Sequence, residues 1–372
     1  MVLFLVGKEH RKSIERILIK IGTNILIDDR FNLREDNLKR IVSQVSTLVS
    51  RGIKVILVSS GAIGLGVSRL GLGAVPKDDS LRRLCAGVGQ AGLTQRYDIE
   101  FSRYDLKTCQ LLLTVNELDN RAQFLKTRSM INTAIDKGVV IIINENDTVT
   151  HEHNSFGNND TLAMHVASKV DASLAVFLTN VNGVYTKDPE MGGELIDVVD
   201  NGLDLNISRS KSRLGSGGMY EKVSSARNCS RLGIPVIVAN GNSDGIIDQI
   251  ISGRFTGTMF KEESRQNSKK RWIYVTKSKG NVDVDEGAFI ALNTKNSLLA
   301  AGISLVEGDF KRKDVITISY NDNVIAKAIA ELASEEVVDV MGKSSKVIKG
   351  MEGYEDYRQV CARENMVFTI SK

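Results

Sequence analysis

The chain has 372 residues, 42% hydrophobic and 25% charged, and its 49 basic and 45 acidic side chains give a formal charge of +4. That length exceeds what one core usually serves and predicts one large domain plus a smaller one. The composition excludes a disordered or fibrous chain, and the near-balanced charge excludes binding of nucleic acid or membrane by bulk electrostatics. Cys85, Cys109, Cys229 and Cys361 never fall in C-x-x-C spacing, so no zinc site or disulfide framework is expected, and a reducing cytoplasm is.

The opening MVLFLV is apolar but meets the charged run KEHRK after one glycine, too soon for a signal segment or a membrane span; residues 1–13 read as an extension leading into the first strand. Apolar, β-branched runs then recur: IERILIKIG (14–22), KVILVSSG (54–61), CQLLLTV (109–115), VVIIIN (139–144), LAVFLTN (174–180) and IPVIVAN (234–240). Helical periods separate them, as in 36–49, where Leu38, Ile41, Val45 and Leu48 share a face. This alternation predicts an α/β fold, a mainly parallel sheet sandwiched by helices, with ligands at the carboxyl ends of the strands. Residues 1–258 form that domain, and the polar, aperiodic 259–270 reads as a linker. In 271–355, RWIYVT, VDVDEGAFIAL, GISLVEGDF, DVITISY and NVIAKAIA read as short strands of a small, mostly β module, and 356–372 as a C-terminal tail. The segment 62–83, with its glycines and Pro76, reads as a surface loop, mobile or interfacial, near the substrate.

Several motifs bear on chemistry. GVGQAG (87–92) has G-x-G-x-x-G spacing, but helical LRRLCA precedes it where the dinucleotide fingerprint needs a strand, so its glycines are expected to permit close helix packing. No P-loop sequence occurs. HEH (151–153) lacks the spacing of a helical metal site and reads as a solvated loop, so no metal ligands are expected. Lys20 ends the first strand just before Gly22, where a lysine can meet phosphate as a point charge or merely cap the strand in solvent. SSGAIGLG (59–66) offers backbone N–H groups and a helix start to an anion, or is an ordinary turn. LGSGGMYEK (214–222) repeats the glycine nest with Lys222 close behind, although a flexible surface loop has the same composition. The stretch INENDTVTHEHNSFGNND (143–160) is instead rich in acids and asparagines.

Taken in chain order, IKIGTN, VSSGAIGLG, INENDTV, FGNNDTLA, LTNVNGVYTKDP and LGSGGMYEK resemble the amino-acid kinase family and, within it, its glutamate-phosphorylating branch. KRWIYV, VDVDEGA and SLLAAGISLVEGDF resemble a C-terminal PUA module, so the likeness spans roughly residues 14–330. The resemblance implies transfer of the ATP γ-phosphoryl group, with Mg²⁺, to the side-chain carboxylate of L-glutamate, the first step of proline synthesis. It implies a catalytic set of Lys20 and Lys222, clamping phosphate, with Asp160 orienting them. It implies substrate contacts at Ser60, Asp147 and Asn159, and a nucleotide site at Thr179, Asn180 and the run Ser216, Gly217, Gly218, Met219 to Lys222. Lys20 belongs to both the catalytic and the nucleotide sets. The α-ammonium group of glutamate would account for the acids and amides.

Two departures stand out. Where the family commonly shows Gly-Asp-Asn-Asp, this chain has Gly157-Asn158-Asn159-Asp160, and where Thr-Asp is common it has Thr179-Asn180. Asn158 is placed with the substrate set. Asparagine keeps an acceptor but loses charge, so another acceptor substrate is the first alternative. The second is an RNA-binding or regulatory protein with a decayed kinase domain; against it, ELASEE (331–336) offsets KRK (311–313) in the PUA-like module. Proline as feedback inhibitor and a homo-oligomeric state are expected from the family alone.

Overall fold

The computed structural model describes residues 3–6, 10–150, 155–188, 191–200, 218–263, 267–294 and 296–368. The chain divides into two compact units, Met1–Arg265 and Gln266–Lys372.

In the first unit, β1 (Leu3–Val6) and β2 (His10–Ser13) pair antiparallel as a separate two-stranded sheet. Next come β3 (Arg16–Ile21), α1 (Thr23–Leu26), α2 (Glu35–Ser50), β4 (Lys54–Ser59), α3 (Ala62–Arg69), α4 (Asp79–Ser102), β5 (Thr108–Leu113), α5 (Val115–Asp119) and α6 (Arg121–Asp136). They are followed by β6 (Val140–Glu145), α7 (Asn159–Lys169), β7 (Leu174–Thr179), β8 (Val198–Val199), α8 (Met219–Arg231), β9 (Val236–Asn240), α9 (Ile246–Ile251) and β10 (Gly257–Phe260). The main sheet runs β5-β6-β4-β3-β7-β9-β10-β8. Its first six strands are mutually parallel, and β10 turns back antiparallel to β9. All six apolar runs of the sequence are strands of this sheet.

Strand alternation decides what each face carries. In β3, Ile17, Ile19 and Ile21 join a core with Leu38, Ile41, Val45 and Leu48 of α2, every one of them fully buried. Burying one such side chain is worth about 1.5–3 kcal/mol relative to leaving it exposed, so this seam holds β3 rigidly. The intervening positions, Leu18 and Lys20, point to the opposite face, against which α7 packs.

The segment 62–83 is mostly helical rather than a loop, because α3 and the start of α4 occupy it. The two helices cross closely: a Cβ at Gly89 would lie 1.8 Å from the carbonyl oxygen of Ala62, and one at Gly66 would lie 1.8 Å from that of Cys85. GVGQAG therefore lies inside α4 and serves helix packing.

In the second unit, α10 (Ser268–Val275) precedes β11 (Asn281–Val284), α11 (Glu286–Asn293), β12 (Ile303–Glu307), β13 (Val315–Tyr320), β14 (Asn323–Ile329), α12 (Ser334–Val340), α13 (Ser345–Ile348) and β15 (Met366–Phe368). Its sheet runs β12-β11-β13-β14-β15, with only β11 and β13 parallel. Two expectations change here. RWIYVT is a helix, not a strand: Asn267 caps it by accepting from the Lys270 N–H at 2.9 Å, and Trp272 and Ile273 are buried. GAFIAL is likewise helical, capped by Asp285, which accepts from the Ala288 N–H at 2.7 Å. Within the C-terminal tail, Tyr357, Val360, Cys361 and Met366 enter the core and β15 extends the sheet.

Candidate active site

The parallel strands β3, β4, β6, β7 and β9 bring their carboxyl ends, Ile21, Ser59, Glu145, Thr179 and Asn240, to one edge of the sheet. Lys20 sits one residue from the end of β3, on the face covered by α7, and α8 packs beside α7. Asp160 is the second residue of α7 and Lys222 the fourth of α8, so both stand where helix N-termini concentrate positive potential.

These three residues meet. Lys20 Nζ lies 2.8 Å from Asp160 Oδ1, and Lys222 Nζ lies 3.0 Å from each carboxylate oxygen. All are buried, at 5%, 2% and 7% exposure for Lys20, Asp160 and Lys222. Burial pushes the Lys20 ammonium down to about 8, the nearby Lys222 adding to the shift and Asp160 opposing it. For Asp160 burial alone would raise the carboxyl, but the two ammonium groups outweigh it and hold it at about 2. Two cations share one anion, so the cluster carries an excess positive charge in a place where unpaired charge is costly. An incoming anion, above all a polyphosphate, offsets that cost.

The opposite character is found around Asn159. Its Nδ2 has two hydrogens to share among Ser59 O at 3.1 Å, Ser60 Oγ at 2.9 Å and Asn144 Oδ1 at 2.9 Å. Its Oδ1 is buried with no hydrogen-bond partner among the described residues, which leaves an acceptor for a ligand donor. Asn144 in turn donates to Gln90 Oε1 at 2.8 Å. Ser60 reaches this place because Gly61 adopts φ +106, a left-handed turn that frees the chain to enter α3 at once.

Of the acids in the 143–160 stretch, Glu145 is structural: its Oε1 accepts from the Phe156 N–H at 3.0 Å. Asp147 makes no ion pair among the described residues, and burial together with the Glu145 charge pushes its carboxyl up to about 6, against the pull of Arg82. Asn158 caps α7, its Oδ1 accepting from the Thr161 N–H at 2.8 Å. His151 and His153 lie outside the described residues, as do Ser216 and Gly217 of the nucleotide set. Gly218 caps α8, its N–H donating to Glu221 Oε2 at 2.8 Å, and Met219 opens the helix. Thr179 ends β7, its hydroxyl 3.4 Å from Asn180 Oδ1.

The structure thus joins Lys20, Asp160 and Lys222 directly, and links Ser60 to Asn159; among the described residues no side-chain hydrogen bond or ion pair joins Thr179 or Asn180 to either group. Two residues of this network were not among the expected site residues: Gln90, inside a glycine motif read for helix packing, and Asn144, one of the asparagines of the 143–160 stretch, for which no role was expected. Among the described residues no group of three or more His, Cys, Asp or Glu side chains is placed to hold a metal ion, and no helix is long and apolar enough to cross a membrane.

A mainly parallel sheet that presents two buried lysines bridged by one aspartate at its carboxyl edge fits a phosphotransferase, the class to which the family match assigns the chain. The chain belongs to the amino acid kinase family, whose model matches residues 15–240, and a PUA domain matches residues 280–351. A glutamate 5-kinase of Methanosarcina barkeri is 36% identical over 373 residues, covering 96% of this chain and 97% of that one. One from Methanosarcina mazei is 37% identical (95% and 96% covered), and one from Thermoanaerobacter pseudethanolicus 36% identical (95% and 97%). Among solved structures, isopentenyl phosphate kinase of T. acidophilum matches 66% of this chain and 100% of its own, at 20% identity and a TM-score of 0.49.

Proposed function

We propose that the chain is an ATP-dependent glutamate 5-kinase of the cytoplasm, forming glutamyl 5-phosphate from L-glutamate as the first step of proline biosynthesis. The observation that carries the reading is the excess positive charge of the buried Lys20–Asp160–Lys222 cluster. A carboxylate acceptor is already a nucleophile, so the protein need not supply a base; it must position two anions and neutralise the charge spread over the moving phosphoryl. Lys20 and Lys222 do this, with Asp160 fixing their spacing. Mg²⁺ accompanying the nucleotide would supply further neutralisation of the phosphate charge beside Lys20 and Lys222, with Asp160 engaged by the two lysines.

Recognition of the amino acid rests on acceptors. Asn159 Oδ1 and the Asp147 carboxylate are suited to an α-ammonium group, which favours an amino acid over a carbamate or a phosphate monoester as the acceptor. Thr179, Asn180, Gly218 and Met219, with Ser216 and Gly217, complete the nucleotide site, and Asn158 contributes through its place at the start of α7. The second unit offers little to RNA, because Arg312 of the basic KRK run is tied to Glu336, its Nε 2.8 Å from Oε2. Proline inhibition and homo-oligomerisation belong to the same reading; activity titrated against proline tests the first and light scattering the second. A panel of acceptors at fixed ATP and Mg²⁺ tests the substrate: glutamate is expected to exceed carbamate and N-acetylglutamate clearly, and a preference for either of these would displace the reading.

A further inference from the structure

We infer that Gln90, on α4, is a positioning residue for the amino-acid substrate: it fixes which face of the Asn159 amide meets the ligand. The inference rests on the glutamate-kinase reading. Three carboxamides form a directed chain. Asn159 Nδ2 donates to Asn144 Oδ1 at 2.9 Å, Asn144 Nδ2 donates to Gln90 Oε1 at 2.8 Å, and Gln90 Nε2 donates to Thr94 Oγ1 at 3.1 Å. Gln90 and Asn144 are buried, at 8% and 2% exposure.

Direction matters because an amide presents a donor on one side and an acceptor on the other. Asn144 Oδ1 also accepts from the Glu145 N–H at 2.9 Å, so this amide is held from both ends: its oxygen faces two donors, its nitrogen the Gln90 oxygen. With Asn144 so held, a rotated Asn159 would set oxygen against Asn144 Oδ1 and against Ser59 O. The chain therefore ends in a buried oxygen, Asn159 Oδ1, that has no partner among the described residues. Each donated bond also makes the same amide's oxygen a better acceptor, so the polarity accumulates toward the ligand. A substrate with an N–H donor, such as the ammonium of an amino acid, fits that end. Without the Gln90 oxygen, Asn144 Nδ2 would be buried and unsatisfied, and rotation of Asn144 would turn a donor toward Asn159 Nδ2.

The test uses the full-length chain with ATP, Mg²⁺ and glutamate, trapping product as hydroxamate, with KM for each substrate and thermal melting measured together. Gln90→Leu is expected to raise the glutamate KM about tenfold while the ATP KM stays within about twofold. Gln90→Glu is expected to restore most of the loss, because a buried, protonated carboxyl accepts from Asn144 and donates to Thr94 as the amide does. Should the leucine variant not fold, Thr94→Val serves instead: it removes the last acceptor of the chain and is expected to raise the glutamate KM alone. An equal rise in both KM values, an unchanged glutamate KM, or a glutamate variant no better than the leucine one would overturn the inference. A wild-type chain that forms no glutamyl hydroxamate would overturn the function itself, whereas active wild type with unsplit KM values removes only the role of Gln90.

Discussion

Lys222 Nζ stands 3.0 Å from both oxygens of Asp160, a residue 62 positions earlier in the chain. Lys20 takes one of the same oxygens at 2.8 Å, so a single carboxylate separates and aims two ammonium groups. Neutralising it should disturb both. Asp160→Asn is expected to lower kcat by about 10²–10³, because both lysines lose the anion that orders them. Removing one partner of a buried pair costs about 3–5 kcal/mol, so the melting temperature should fall as well. ATP with Mg²⁺ should restore more melting temperature to the variant than it adds to wild type, since the phosphates replace the missing anion. Equal ligand-induced shifts would count against this account.

The proposed contact of Asp147 with the substrate ammonium predicts an acid limb in glutamate binding. Its carboxyl is pushed up to about 6, by burial first and then by Glu145, with Arg82 opposing. An ammonium ligand prefers the ionised form, so glutamate binding is intact above pH 6 and weakens as the pH falls through it. The expected profile is a glutamate KM that rises about tenfold per pH unit below 6, with no matching rise for ATP. Asp147→Asn should raise the KM at neutral pH and flatten this dependence; a profile that keeps its slope in the variant would place the titration elsewhere.

Asn158 has a duty besides any contact with substrate, because its Oδ1 caps α7. Aspartate caps as well as asparagine and adds negative charge at the helix end that holds Asn159 and Asp160. Asn158→Asp should therefore keep the melting temperature and lower the glutamate KM through its charge. Asn158→Ala should cost about 1 kcal/mol of stability through the lost cap. A glutamate KM indifferent to the aspartate would confine Asn158 to the cap.

Gly89 holds α4 against α3. With the Ala62 carbonyl oxygen 1.8 Å from where its Cβ would be, Gly89→Ala must push the helices apart. Overpacking of this kind typically costs about 1–3 kcal/mol. Because α3 begins just after Ser60 and α4 carries Gln90, the glutamate KM should rise with the loss of stability. Wild-type melting with an unchanged KM would show that the two helices are free to separate.

Much of the first unit was legible because its signals are local. Each strand of the parallel sheet is a continuous apolar run, and α2 shows its buried face in the spacing of Leu38, Ile41, Val45 and Leu48. The second unit was harder to read. RWIYVT is rich in the aromatic and β-branched residues of strands, yet an asparagine cap inside a presumed linker starts a helix there, and tertiary packing overrides propensity. Nothing local reports that residues 20, 160 and 222 meet, so the lysine–aspartate cluster was reachable only through likeness to a family. The amide chain from Gln90 was not reachable even so: its meaning lies in which atom faces which, and composition carries no trace of that.

The most direct test of the central claim is formation of glutamyl hydroxamate by purified full-length chain given ATP, Mg²⁺, L-glutamate and hydroxylamine, compared with Lys222→Ala. The account predicts glutamate-dependent product from wild type and a rate lower by about 10²–10³ in the variant. No product above that of the variant would contradict it.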